Sequence, residues 1–361
     1  MCIIRLLEPN SRIAKWLTWI FRIQAVIQLG FIIGFVFSVY RGLHSKPLSL
    51  GAYGEWFYFA GHELVNDLQV TSSVCSVTQN GSDGFGHQLE GKLSVMLLAE
   101  LFPERFEYIH VPFKGFQHIT LTGEYVEQYM GFKDLFLEPH PDWDYEYPST
   151  LKPYIVNYSE PCDPYVIYSV DNAWVATLYN LTLKPRINNI LMNSTLFQGL
   201  RHAYFNDFVK RSNPVNTKFR SGTKNVVVHI RRGDGMWRAM TTEYYDAAID
   251  YYETLYGNST YFLIESDDIE WDYIQKTLPE RLGPENVHIG NENSVLLTFH
   301  RMMLADGLVA SDSSLDRAAI MYRSNQNPVV VPDNPYFQML DSYVHVTCKT
   351  NCSVRTIWYP E

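Results

Sequence analysis

The second half of the chain alternates short apolar runs with amphipathic stripes, a pattern typical of strands alternating with helices. The β-branched run at 226–230 is bounded by polar residues and predicts a buried strand, and the helical stripe at 242–256 ends at Gly257. The pattern continues with strands at 260–264, 287–289, 308–310 and 328–331 and with helices near 269–277 and at 294–304 and 313–323. This order predicts a doubly wound parallel sheet.

The first half of the chain contains one clear helical pattern. Leu89, Leu93, Met96 and Leu97 have helical spacing and predict a helix over 84–102. Residues 103–180 are rich in Tyr, Pro and Asp, and we expect loops with short strands there.

Residues 23–40 form an uncharged, mostly apolar run, at the short end of what crosses a bilayer core of about 30 Å. Basic residues outnumber the single acidic residue before it, so the positive-inside rule predicts a cytosolic tail at 1–22 and a luminal remainder. A cleaved signal peptide is the alternative, but the run lies far from the N-terminus and lacks a clear small-x-small site. We expect an uncleaved signal anchor followed by a stem at 41–72.

Sequons and cysteines after this run also favour the luminal side. The six N-x-S/T sequons begin at Asn80, Asn157, Asn180, Asn193, Asn258 and Asn351. The four cysteines are Cys75, Cys162, Cys348 and Cys352, which suits two disulfides in an oxidising compartment. Three pairings are open, including a local Cys348–Cys352 loop that would leave Cys75 with Cys162. A zinc site is disfavoured, because no second close Cys or His pair accompanies them.

Length and charge narrow the class of protein. The 361 residues suffice for two domains, for which we expect an N-terminal lobe at 73–220 and a C-terminal lobe at 221–361. The net charge of −10 argues against extended nucleic-acid binding, which needs a basic face.

Polar residues follow the predicted strands. Arg231 and Arg232 come at the end of the strand at 226–230, and arginine forks suit bidentate capture of phosphate, so this pair suggests a diphosphate-bearing ligand. The alternative is a basic surface loop paired with carboxylates. Ser313 and Ser314 come where a helix begins, and would either bind an anion or simply cap the helix.

Further candidates follow the same reasoning. Gly84 and Gly86 precede a helix N-terminus that could receive an anion or merely form a tight turn. Asp267 or Asp268 could accept the two neighbouring N–H donors of guanine, the other acid being a helix N-cap. His229 would either help to hold the nucleoside or be a buried structural residue.

Four segments resemble, in order, motifs of the α1,2-, α1,6- and protein O-fucosyltransferase superfamily. His229-Ile-Arg-Arg-Gly-Asp234 resembles H-x-R-R-x-D, most closely that of the α1,2 branch, and residues 261–271 resemble a strand followed by S-D-D and a tryptophan. Residues 308–319 resemble a strand followed by S-N-S-S and a helix of small residues, and Gly84-Phe-Gly86-His87-Gln88 resembles G-x-G-N-Q.

The resemblance implies an α/β fold of GT-B type with two Rossmann-like lobes, the C-terminal one being a doubly wound parallel lobe that binds GDP-fucose. It implies that Arg231 contacts the diphosphate and that an acid at Asp267 or Asp268 reads guanine with His229. The implied reaction is inverting fucosyl transfer, without metal or other cofactor, to a glycan hydroxyl, the 2-OH of a terminal galactose. The implied location is the Golgi membrane, as a single-pass type II protein.

Several points stay open at this stage. Asp234 and Glu243 are candidates for the general base. Core α1,6- or protein O-fucosyl transfer, or a silent glycan- or nucleotide-binding relative, are the alternatives, and a homodimer is left open. Asp142-Trp-Asp144 resembles a D-x-D metal motif but lacks a preceding apolar strand, so we interpret it as a solvated loop.

The chain also departs from the family pattern. His87 and Asp312 stand where asparagine is usual, and Asp316-Arg317 stand in place of an aromatic pair.

Overall fold

The computed structural model describes residues 74–79, 84–113, 115–116, 120–135, 152–153, 167–169, 184–211, 217–233, 239–290, 294–323, 327–333, 337, 343–348 and 352–356. The predicted tail, anchor and stem, the D-x-D segment and Asp234 lie outside these ranges. Among the helices that are described, none combines the length and the apolar character needed to cross a membrane.

The first sheet has four parallel strands in the order β2-β1-β4-β3. Its strands are β1 (Cys75–Thr78), β2 (Phe106–Tyr108), β3 (Lys152–Pro153) and β4 (Ile167–Ser169). Its helices are α1 (Phe85–Leu101), α2 (Gly123–Met130), α3 (Phe132–Leu135), α4 (Lys184–Asn193) and α5 (Thr195–Arg211).

The helix α1 agrees with the prediction, but α2 and α3 correct the expectation that 103–180 holds only loops and short strands. Thr122 caps α2 by accepting a hydrogen bond from the Tyr125 N–H at 3.2 Å, and Gly131, at φ 78°, ends it. Both helices are short, so packing against α5 rather than a long periodic stripe stabilises them.

The second sheet has seven strands in the order β11-β10-β9-β8-β5-β6-β7, and only β11 is antiparallel to its neighbour. Its strands are β5 (Lys224–Ile230), β6 (Thr260–Ser266), β7 (Val287–Ile289), β8 (Gly307–Val309), β9 (Val329–Pro332), β10 (Tyr343–Cys348) and β11 (Cys352–Thr356). Its α-helices are α6 (Thr242–Tyr256), α7 (Leu278–Leu282), α8 (Val295–Leu304) and α9 (Ser314–Tyr322). A π-helical turn at Tyr273–Thr277 precedes α7, and 3₁₀ turns lie at Gly257–Ser259 and Pro284–Asn286.

Alternating strand residues divide the interior around the second sheet. Val226, Val228 and Ile230 of β5 face the core formed with α6, whereas Val227 faces the core that contains α8, α9 and α1. Helices therefore cover both faces, as the predicted doubly wound α/β architecture requires. The core that contains Val227 also includes residues of the first sheet, such as Cys75 and Phe106, so the two sheets share apolar packing.

Most predicted elements from 221 onward agree with the structure to within about two residues. The predicted helix near 269–277 is present but shifted along the chain: it begins at Asp272 and continues through the π-helical turn at Tyr273–Thr277 into α7. The strands β10 and β11 were not predicted, although both are longer than the predicted strands β7 and β8.

Candidate functional site

The chemistry-bearing segments meet at one edge of the second sheet. The strands β6, β5 and β8 are neighbours, and the register pairs His229 with Glu265 and Val228 with Val309. The residues that follow each strand are therefore brought to the same carboxyl edge, as the sequence predicted.

Arg231 contacts Asp267 at this edge. Its Nη1 lies 3.0 Å from Oδ2 of Asp267, and both side chains are partly exposed. The other carboxylate oxygen of Asp267 accepts the backbone N–H of Arg232 at 2.7 Å. Gly233 lies so close that a Cβ there would come within 2.7 Å of the same carboxylate. Asp267 therefore orders the turn that presents Arg231.

Arg232 has different surroundings. Its guanidinium carbon lies 3.8 Å from the centre of the Trp271 ring, which is a cation–π contact, and its Nε lies 3.7 Å from Oδ2 of Asp268. Arg232 therefore packs on an aromatic ring and lies near an acid, a setting different from that of Arg231. Neither Asp267 nor Asp268 is a helix N-cap, since the π-helical turn begins at Tyr273, so that expectation is corrected.

His229 belongs to a buried polar cluster. Its Nδ1 lies 2.8 Å from Oδ2 of Asp316 and 3.1 Å from Oγ of Ser311. Ser311 donates to the same carboxylate oxygen twice, from its hydroxyl at 2.7 Å and from its backbone N–H at 3.1 Å. Burial acts to lower the pKa of His229, but the charge and hydrogen bond of Asp316 outweigh it and raise that pKa.

Two helix N-termini meet beside this cluster. Ser313 caps α9 by accepting from the Leu315 N–H at 3.1 Å, which agrees with the simpler interpretation of that serine. A Cβ on Gly86, in the first turn of α1, would come within 2.7 Å of the Leu315 nitrogen, so only glycine allows this approach. Gly84 precedes α1, and a Cβ there would meet no atom within 4 Å. Both helices therefore present backbone donors and partial positive charge in one region.

Two of the residues that depart from the motif pattern, Asp312 and Arg317, belong to a buried ion cluster. The guanidinium of Arg317 reaches both carboxylate oxygens of Glu90 in α1, at 2.5 and 3.2 Å, and Oδ1 of Asp312 at 3.1 Å. Glu90 and Arg317 are 1% and 3% exposed. The unusual Asp312 and Arg317 are thus partners, and Arg317 also connects α9 to α1 through Glu90.

The remaining predicted residues have more ordinary positions. Gln88 is buried and donates to the backbone oxygen of Gly115 at 3.0 Å, and His87 is half-buried. Glu243 is exposed in the first turn of α6, where backbone and Thr241 hydrogen bonds lower its pKa. A lowered pKa makes Glu243 a weaker base, which disfavours it as the group that accepts the acceptor proton.

Sequence reasoning missed Asp316, Ser311 and Glu90 as members of the site. Asp316 was noticed only as a departure, although an acid in the first turn of a helix is a recognisable signal. Glu90 gave no signal, because its partner is 227 residues away in the sequence.

The described residues include three of the predicted disulfide cysteines and two of the predicted glycosylation sites. Cys75 is disulfide-bonded, and Cys348 pairs in register with Cys352 across the β10–β11 hairpin. Asn193 and Asn258 are exposed, at the end of α4 and after α6. The described residues contain no cluster of His, Cys, Asp or Glu suited to a metal ion.

Solved structures similar to this chain include several fucosyltransferases. They include POFUT1 in complex with GDP (11% identity, TM-score 0.38, 72% of this chain and 97% of that one) and a NodZ α-1,6-fucosyltransferase soaked with GDP-fucose (10%, 0.38, 79% and 99%). A mutant of Arabidopsis thaliana FUT1 in complex with GDP matches at 13% identity and TM-score 0.41, over 84% of this chain and 81% of that one. No protein-family model and no curated protein matches the chain. Because TM-scores below 0.5 do not establish a shared fold, the α/β assignment stands on this chain's own strand order.

Proposed function

We propose that this protein is an inverting fucosyltransferase that binds GDP-fucose at the carboxyl edge of its second sheet. The observation that carries the proposal is the meeting of Arg231, His229 and the N-termini of α1 and α9 at that edge. This arrangement supplies fixed positive charge and N–H donors, which is what a nucleoside diphosphate needs for binding.

In the proposed reaction, the bond between fucose and the diphosphate breaks while an acceptor hydroxyl attacks the sugar from the opposite side. Negative charge develops on the leaving diphosphate, and Arg231 stabilises that charge in place of a metal ion. Asp267 orients the guanidinium through Nη1, so the arginine is held in position before the donor binds.

We assign guanine recognition to Asp268 rather than Asp267. Both oxygens of Asp267 accept donors from Arg231 and Arg232, whereas Asp268 is 44% exposed and its nearest cation, Nε of Arg232, lies 3.7 Å away. A partly exposed carboxylate whose nearest cation lies beyond hydrogen-bond distance can accept hydrogen bonds from the two adjacent N–H donors of guanine.

For the acceptor, we propose the 2-OH of a terminal galactose, bound by the N-terminal lobe, with the catalytic part in the Golgi lumen behind an anchor at 23–40. The support for the linkage is the H-x-R-R-x-D segment, which resembles the α1,2 branch. A second candidate is fucosyl transfer to another acceptor used in the same superfamily, or a catalytically silent relative. The ion cluster favours it, because Asp312 and Arg317 stand where the family pattern has other residues.

The test is an acceptor panel with the full-length protein in detergent, GDP-fucose and mass-spectrometric detection of product. The panel contains a terminal galactoside, an N-glycan core and a folded protein acceptor, each with and without a chelator. Transfer to the galactoside that survives the chelator supports the proposal, and a strict metal requirement contradicts the role given to Arg231. Transfer only to another acceptor corrects the linkage, whereas GDP binding without transfer identifies the silent relative.

A further inference from the structure

Asp316 is a buried carboxylate beside the proposed donor site. It lies in the first turn of α9, is fully buried, and accepts three hydrogen bonds at one oxygen, Oδ2, from Ser311 and His229. Within the described part of the chain, its other oxygen, Oδ1, is buried without a hydrogen-bond partner. A buried carboxylate with an unsatisfied oxygen costs stability, so its presence at the site calls for a functional reason.

We propose that Asp316, acting through Nδ1 of His229, fixes the imidazole so that its Nε2–H donates to the nucleoside diphosphate. Asp316 is therefore a positioning residue for the donor. This inference rests on the proposed function for the identity of the ligand, but the Asp316–His229 pair itself does not depend on it.

The geometry supports this role. His229 lies one residue before the end of β5, two residues along from Val227 and therefore on the same face, which is the face that α9 covers. Both of its close contacts in the cluster involve Nδ1, so the carboxylate keeps a proton on that nitrogen. With Nδ1 held, Nε2 is the nitrogen that can meet a ligand at the carboxyl edge.

The charges around His229 set its protonation. Burial lowers the pKa of His229, whereas the negative charge and hydrogen bond of Asp316 raise it. Asp267 raises this pKa by a smaller amount, and the positive charge of Arg231 lowers it. On the opposite side of the sheet, burial raises the pKa of Tyr244 and Tyr245 in α6, so these groups stay neutral. The result is a raised pKa, so His229 remains a doubly protonated donor to higher pH than an ordinary histidine.

The raised pKa of His229 determines how GDP binding depends on pH. Affinity for GDP is highest below the raised pKa of His229 and falls as the pH increases through it. Asp316→Asn removes the charge that raises this pKa, so affinity is lost at lower pH than in the wild type. His229→Gln removes the titrating group and flattens the profile.

The experiment measures GDP binding by calorimetry between about pH 5 and 8 for the full-length protein and these two variants. We expect Asp316→Asn to weaken binding about tenfold near neutral pH, the scale of one hydrogen bond to a charged group. In a His229→Gln background the same change should have almost no effect, since Asp316 acts only through the imidazole. Asp312→Asn is the matched control, because this acid pairs with Arg317 and should leave the pH midpoint unchanged.

An NMR titration of the His229 ring in the wild type separates the possible failures. Absence of GDP binding by the wild type would contradict the proposed function, whereas the ring titration would still test the pair. A His229 ring that titrates at or below the ordinary value, or a wild-type binding profile with the same pH dependence as His229→Gln, would overturn the inference. Melting temperatures identify a variant that has lost its fold, and the wild-type titration then decides alone.

Discussion

At the scale of single residues, Arg231 and Arg232 are adjacent in sequence but differ in what they contact. Arg231 is held by the carboxylate of Asp267, whereas Arg232 stacks on Trp271. An arginine fixed by one acid can present the rest of its planar fork in a defined direction. This difference supports the proposal that Arg231 binds the diphosphate and that Arg232 has a supporting role.

We therefore expect Arg231→Ala to lower turnover of GDP-fucose by about two to three orders of magnitude, the scale of removing one preorganised donor. Arg231→Lys should be nearly as inactive, because a lysine ammonium cannot make the two parallel hydrogen bonds that a guanidinium makes to a phosphate. Arg232→Lys is the matched comparison and should have a milder effect. Initial rates with full-length variants of equal melting temperature test this, and near-normal turnover in Arg231→Ala would contradict the proposal that Arg231 stabilises the leaving diphosphate.

At the scale of elements, the first turns of α1 and α9 pack against each other. Gly86 permits this approach, since a side chain would meet the Leu315 backbone. Gly86→Ala should lower the free energy of unfolding by about 1–3 kcal/mol, the usual cost of overpacking. It should also weaken GDP binding by separating the two N-termini.

Gly84→Ala provides the control for stability, because a Cβ at that position would meet no atom within 4 Å. Chemical denaturation of both variants gives the comparison. Equal stability of the two would show that the approach of α1 to α9 is looser than the structure indicates.

The ion pair of Glu90 and Arg317 connects the same two helices farther along. Both groups are almost fully buried, so Glu90→Gln removes the nearer of the two carboxylates that pair with the Arg317 guanidinium and leaves only Asp312. We expect a loss of about 3 kcal/mol in the free energy of unfolding, as is typical when one partner of a buried pair is removed. Glu124→Gln breaks the exposed pair with Lys133 and should have no measurable effect. A Glu90→Gln variant as stable as Glu124→Gln would contradict this.

At the scale of the whole molecule, the remaining prediction concerns membrane topology. The basic tail, the apolar run at 23–40 and the six sequons predict that everything after residue 45 is luminal. Protease added to sealed microsomes should leave that part intact. Asn193 and Asn258 are exposed, so both should carry glycans that a glycosidase removes with a shift in mobility. Digestion of the C-terminal part in intact vesicles would reverse the predicted orientation.

The sequence by itself determined most of the second sheet. The strands β5 to β9 and the helices α6, α8 and α9 each have a local period of apolar residues that specifies their type, and sheet topology then places their ends at one edge. The helices α2 and α3 are too short for such a pattern, so tertiary packing decides them.

Only the tertiary structure decided which charges are partners. Asp316 and His229 are 87 residues apart, and Arg317 and Glu90 are 227 apart, so no local pattern connects them. The sequence indicated Arg231 as a phosphate ligand because arginine at a strand end is a local signal. The role of Asp316 depends instead on burial, which excludes water and makes each charge interact with whichever group the fold places beside it.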